Sequence, residues 1–98
     1  MKIIKKYNEN ALEIMLEGRL DTETAPELEE ELKTCLTDVE KLTLDFSNLD
    51  YVSSAGLRVL LLAQKTMQNK GGMTVKNVNE IVMEVFDVTG FKDVLTIE

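Results

Sequence analysis

Histidine and tryptophan are absent from these 98 residues, and cysteine and proline occur once each. With no histidine and a single thiol, the chain lacks the cluster of nitrogen and sulfur ligands that a structural zinc site requires. Cys35 cannot close an internal disulfide, which suits a reducing compartment. No apolar run approaches the roughly 18–20 residues of a membrane span. The opening Met-Lys-Ile-Ile-Lys-Lys has no apolar stretch long enough for a secretory signal. A cytoplasmic chain without membrane association is therefore expected. Positive charge is also scarce, leaving a net charge of −7. Phosphate backbones are gripped by clustered Lys and Arg, so nucleic acid is not an expected partner.

What is present describes one folded domain over residues 1–98. Hydrophobic residues make up 44% of the chain, and one Pro with five Gly is too few for a disordered segment. No repeat or linker interrupts it. Lys2 to Tyr7 reads as a strand, followed by turn chemistry at Asn8-Glu9-Asn10. Leu12, Ile14 and Leu16 then alternate with Glu13, Met15 and Glu17, which predicts a half-buried strand ending at Gly18. Thr24 and Glu27 have capping-box spacing with Pro26 in the first turn, opening a helix whose apolar face is Ala25, Leu28, Leu32, Cys35 and Leu36. On that face Cys35 is expected to act as a small hydrophobe.

Lys41 to Phe46 predicts a third strand, and Ser47-Asn48-Leu49-Asp50 a turn after it. A helix runs from Ala55 to about Asn69 and stops at Lys70-Gly71-Gly72. Met73 to Lys76 is a short strand. Asn79 can cap a last helix with Ile81, Val82, Val85 and Phe86 on its apolar face, and Val94, Leu95 and Ile97 close the chain as a strand or packed segment. The order β-β-α-β-α-β-α-β predicts an α/β fold, a mixed sheet covered by helices. Two β-α-β crossovers would bring the loops holding Asp21 and Ser53-Ser54 to strand ends, where such folds place their sites.

Ser53-Ser54-Ala55-Gly56-Leu57-Arg58 lies at the start of the longest helix. A serine there offers its hydroxyl to free backbone N–H groups at the positive end of the helix dipole, and the same groups would hold a phosphate added to it. This is the pattern of a switch. A hydrolase built on Ser54 with Asp21 or Asp45 lacks an evident general base, since there is no histidine and no lysine placed beside the serine.

Together, Gly18-Arg19-Leu20-Asp21, Leu44-Asp45-Phe46-Ser47, Tyr51-Val52-Ser53-Ser54-Ala55-Gly56-Leu57-Arg58 and Phe86-Asp87-Val88-Thr89-Gly90-Phe91 resemble the STAS domain family. Within it they are similar to the small bacterial anti-sigma factor antagonists, and the likeness covers nearly the whole chain. The resemblance implies a regulator, not an enzyme. In such proteins a kinase-like anti-sigma factor phosphorylates a serine at the second helix, and the unphosphorylated form binds that factor and frees the sigma factor. Carried over by motif, the acceptor is Ser54. Ser53 stands where many relatives carry Asp, which leaves two adjacent hydroxyls. The partners implied are a serine kinase of the anti-sigma type, which supplies the ATP, and a serine phosphatase. No cofactor is implied, and a monomer is expected. The alternative that the resemblance leaves open for this chain is a STAS subunit of a larger regulatory or transport assembly, such as a stressosome or a lipid-transport complex.

Other residues complete the expected partner-binding set. Gly56 either lets a partner approach or packs tightly inside the domain. Arg58, one turn after Ser54, pairs with a phosphate there, meets an acidic group of the partner, or is simply solvated. Leu57, Leu60, Ala63 and Met67 gather on one side of the helix, whereas Leu62 points away from them beside Arg58, Lys65 and Asn69. Leu57 and Leu62 are counted with Ser53, Ser54, Gly56 and Arg58 as docking residues, and Asp21 joins the docking rim by the resemblance. Asp21 and Asp45 either converge near Ser54 on a hard cation or are solvated separately.

Overall fold

A computed structural model describes all of residues 1–98. Its sheet has four strands in sequence order: β1 (Lys2–Asn8), β2 (Ala11–Leu20), β3 (Lys41–Val52) and β4 (Met73–Lys76). β1 and β2 form an antiparallel hairpin, with Glu9 in the left-handed region at φ 57°. β2, β3 and β4 run parallel, joined by α1 (Ala25–Cys35) and α2 (Ser54–Gln68), and α3 (Glu80–Thr89) follows β4.

Period-2 burial sets the layers. Leu12, Ile14 and Leu16 are buried while Glu13, Met15 and Glu17 are partly exposed, and Leu42, Leu44 and Phe46 continue the buried row on β3. All three helices pack on that face: Leu28 and Leu32 of α1, Leu60, Ala63 and Met67 of α2, and Val82 and Phe86 of α3 join one apolar core. Phe86 meets Phe46 with ring centroids 6.4 Å apart. Cys35 is half-buried against this core, and burial pushes its thiol pKa up. Behind α1, the Lys70 ammonium donates to the carbonyls of Leu36, Thr37 and Val39 at 2.7, 3.2 and 3.1 Å. It thereby satisfies acceptors that the end of α1 leaves open.

Four local expectations are corrected. Ser47-Asn48-Leu49-Asp50 is not a turn but part of β3. Pairing with β2 holds it extended, with register shifts between Met15 and Glu17 and between Gly18 and Arg19. Cross-strand pairing and burial of Leu49 override the turn preference of Ser, Asn and Asp. The Thr24–Glu27 capping box does not form, because the Thr24 hydroxyl is engaged elsewhere. Ile81 is not on the buried face of α3 but is 61% exposed. The expected last strand is reduced to a 3₁₀ turn at Phe91–Asp93 and one parallel bridge between Ile97 and Val75.

Candidate functional site

The parallel strands β2 and β3 end side by side at Leu20 and Val52, and each chain then turns into a helix. On the β2 side the turn is built by Asp21. Its Oδ1 accepts from the N–H of Glu23 at 3.0 Å and of Thr24 at 3.2 Å. The Thr24 hydroxyl lies 2.8 Å from the Arg19 carbonyl, to which it donates, and accepts from the Asp21 N–H at 2.9 Å. The Thr24 N–H bond is the chief influence holding Asp21 below the usual carboxylate range; desolvation, the next largest, opposes it, while Glu23, the Thr24 hydroxyl and Arg19 assist. Arg19 places Nε 3.7 Å from Asp21 Oδ2 and its guanidinium 4.7 Å from the Tyr51 ring centre. Arg19 and Tyr51 are register partners, so only strand pairing brings this cation to that ring.

On the β3 side the Ser53 N–H donates to the Leu20 carbonyl at 2.9 Å, tying the start of α2 to the end of β2. Ser53, in an extended conformation at ψ 177°, is the residue that caps α2 by position. Its hydroxyl makes no capping bond and is buried without a partner. Ser54 is therefore the first helical residue, not the cap, and its side chain is exposed. The first intrahelical bond runs from the Leu57 N–H to the Ser53 carbonyl at 2.9 Å, so the N–H groups of Ser54, Ala55 and Gly56 precede it. The first turn carries no acidic residue. A positive pole is left open around an accessible hydroxyl.

Gly56 and Leu57 lie inside the domain: Gly56 takes the second of its two readings, tight internal packing, and Leu57 does not itself face a partner. A Cβ at Gly56 would stand 2.7 Å from Leu20 Cγ and 3.0 Å from the Leu20 carbonyl oxygen, so the glycine serves the close approach of α2 to β2. Leu57 is 5% exposed and belongs to the core. Arg58 and Leu62 face outward. Arg58 borders a groove of about 290 Å³ beside Ser54, between Thr22, Ala25, Pro26 and Glu29 of the α1 side and Ala55 and Val59 of α2. Leu62 borders a different groove, with Leu32 and Leu36 near the end of α1.

Asp21 and Asp45 do not converge. Asp21 follows the end of β2, whereas Asp45 pairs with Met15, five residues earlier on that strand. Asp45 is buried, and its Oδ1 accepts from the Ser47 N–H at 2.9 Å and the Asn77 amide at 3.0 Å. Burial is the largest influence and would raise its pKa. Asn77, Ser47 and the Lys76 charge together outweigh it, and the carboxyl titrates below its ordinary value. Asn77 occupies the left-handed region at φ 60°, just ahead of α3. Asn79, the cap of α3, accepts from the Val82 N–H at 2.8 Å and donates its amide to the Leu49 carbonyl at 2.8 Å. Neither Asn77 nor the reach of Asn79 to β3 was evident in the sequence, since both depend on a partner about 30 residues away. The roles of Arg19 and Tyr51 were missed for the same reason, and only a correct strand register would have supplied them.

Known proteins resemble this chain over its full span. The model of the family described as STAS domain matches residues 2–98. The anti-sigma-B factor antagonist of Bacillus subtilis is 31% identical over 93 residues, covering 94% of this chain and 85% of its own. The structure of an anti-sigma factor antagonist from Mycobacterium paratuberculosis superposes with a TM-score of 0.88 at 20% identity, over 98% of this chain and 83% of that one. The Bacillus cell fate determinant SpoIIAA in its phosphorylated form gives a TM-score of 0.76 at 17% identity, over 99% of this chain and 91% of that one.

Proposed function

The chain belongs to the STAS domain family, and we propose that it is an anti-sigma factor antagonist switched by phosphorylation of Ser54. Unphosphorylated, it docks on a kinase-like anti-sigma factor and frees a sigma factor; phosphorylated, it is released, and a serine phosphatase resets it. The ATP is the kinase's substrate, and this chain contributes only the acceptor hydroxyl and the docking surface.

One observation carries the choice of acceptor. The Ser54 hydroxyl is exposed at the open positive end of α2, whereas the Ser53 hydroxyl is buried. A kinase must bring its nucleotide against the hydroxyl, and only Ser54 offers that access. The α2 dipole stabilises a phosphate there by up to ~2 kcal/mol, so the domain keeps its fold. A docked partner would instead strip water from an added charge of about −1.5 to −2. A loss of ~3 kcal/mol lowers affinity more than a hundredfold. Asp21, held ionised by its turn, and Arg58, on the groove beside Ser54, supply charge at the rim of the docking face.

Incubation with the cognate kinase and ATP, followed by peptide mass spectrometry, tests this reading. One phosphate on Ser54 is expected, retained in Ser53→Ala and absent from Ser54→Ala. Phosphate persisting in folded Ser54→Ala, or none on the wild type, overturns it.

A further inference from the structure

The most exposed large apolar side chains of the molecule sit on α3. Ile81 is 61% and Val88 79% exposed, and half-buried Val85 lies between them. Their i, i+4, i+7 spacing lines them along one side of the helix over about 10 Å. Val82 and Phe86, both fully buried, anchor α3 to the core with half-buried Val85 packed beside them, so Ile81 and Val88 are not needed to hold the helix. The strip borders a shallow depression of about 330 Å³. A second depression, of about 360 Å³, is lined by the carboxylates of Glu80, Glu84 and Asp87 with one cation, Lys92. Glu84 borders both, so an apolar track and an acidic trough run side by side.

That pairing selects the occupant by charge. A second copy of this chain would set Glu80, Glu84 and Asp87 against their own counterparts, and an anionic lipid surface would meet the same repulsion. We propose that this face of α3 docks a basic amphipathic helix of another protein. Its apolar side chains lie along Ile81, Val85 and Val88, and its Lys or Arg side chains enter the Glu80–Glu84–Asp87 trough. None of these residues borders the groove beside Ser54, so the site is separate from the phosphorylation switch.

The test uses the full chain, isotope-labelled, and a synthetic Leu/Lys amphipathic peptide of about 14 residues, long enough to hold a helix. Amide shifts confined to residues 80–92 are expected. A peptide of the same composition in scrambled order, and one with Glu for every Lys, should leave those shifts at least ~tenfold weaker. Ile81→Ser with Val88→Ser, and separately Glu80→Lys with Glu84→Lys, should each weaken binding by a similar factor. Both pairs are exposed, so the melting temperature should hold for the apolar pair and fall only slightly for the Glu pair, which loses the acidic charge in the first turn of α3. Shifts spread over the whole surface, equal binding of the scrambled peptide, or unchanged affinity in the Glu→Lys pair overturn the proposal. So does a dimer, detected by sedimentation, that Val88→Ser dissolves, since a second copy would then be the occupant.

Discussion

The N-termini of α2 and α3 begin alike and finish differently. Each helix follows an extended cap residue, Ser53 at ψ 177° and Asn79 at ψ 171°. At α3 the end is closed: Asn79 caps Val82, reaches back to Leu49, and Glu80 sets a negative charge in the first turn. At α2 the cap hydroxyl is turned inward without a partner, no acid follows, and Ser54 stands in solvent. A capping bond is worth about 1 kcal/mol. α2 forgoes it and is held instead by the contact of Gly56 with Leu20 and by the Ser53–Leu20 backbone bond. The closed end is built for stability, and the open end for an incoming charge.

A permanent carboxylate at the open end gives the largest expected effect. Ser54→Asp should weaken docking on the anti-sigma kinase by more than ~100-fold in calorimetry. Its thermal stability should hold or rise, since an acid at a helix start is favourable by about 0.3–1 kcal/mol. Undiminished affinity would remove the functional side of the comparison. Next is Gly56→Ala, where the added methyl meets Leu20 Cγ and the Leu20 carbonyl. Overpacking of this kind costs about 1–3 kcal/mol, against up to ~1 kcal/mol gained in helix propensity. A net fall in denaturation midpoint is expected, and a rise would show that α2 is not seated on Leu20.

The two caps give the most direct contrast. Asn79→Ala should cost about 1–2 kcal/mol in urea unfolding, because it removes both the Val82 cap and the bond to Leu49. Ser53→Ala should stay within about 0.5 kcal/mol, because its hydroxyl bonds to nothing. Equal losses would erase the distinction. The smallest effect concerns pH. Asp45 titrates below its ordinary value when folded, chiefly through Asn77 and Ser47 against the opposing effect of burial. Its contribution is therefore fully present above the unfolded value of about 3.9 and is lost as pH falls through the folded value. The stability gap between wild type and Asp45→Asn should narrow below about pH 4; a gap that stays constant would detach Asp45 from the acid limb.

Much of this was legible in residue order because it is local. The alternation of Leu12, Ile14 and Leu16, the stop at Gly71-Gly72 and the cap at Asn79 each depend on neighbours a few positions away. The outward direction of Leu62 followed from helical period alone, and it is 41% exposed. Ile81 misled the same reasoning, because an apolar residue beside Val82 matches a core face as well as an exposed strip; periodicity measures angle, not what lies opposite.

The sequence by itself determined the strand and helix succession as far as α3, most of the apolar faces that make one core, and a pair of serines at the head of α2. Which serine faces solvent was decided by tertiary structure, as were the pairing of Arg19 with Tyr51, the extension of β3 through Ser47–Asp50 and the separation of Asp21 from Asp45. Period and capping act over a turn or two of chain. Hydroxyl burial and strand register are set by groups that fold in from elsewhere in the chain, and no local pattern encodes them.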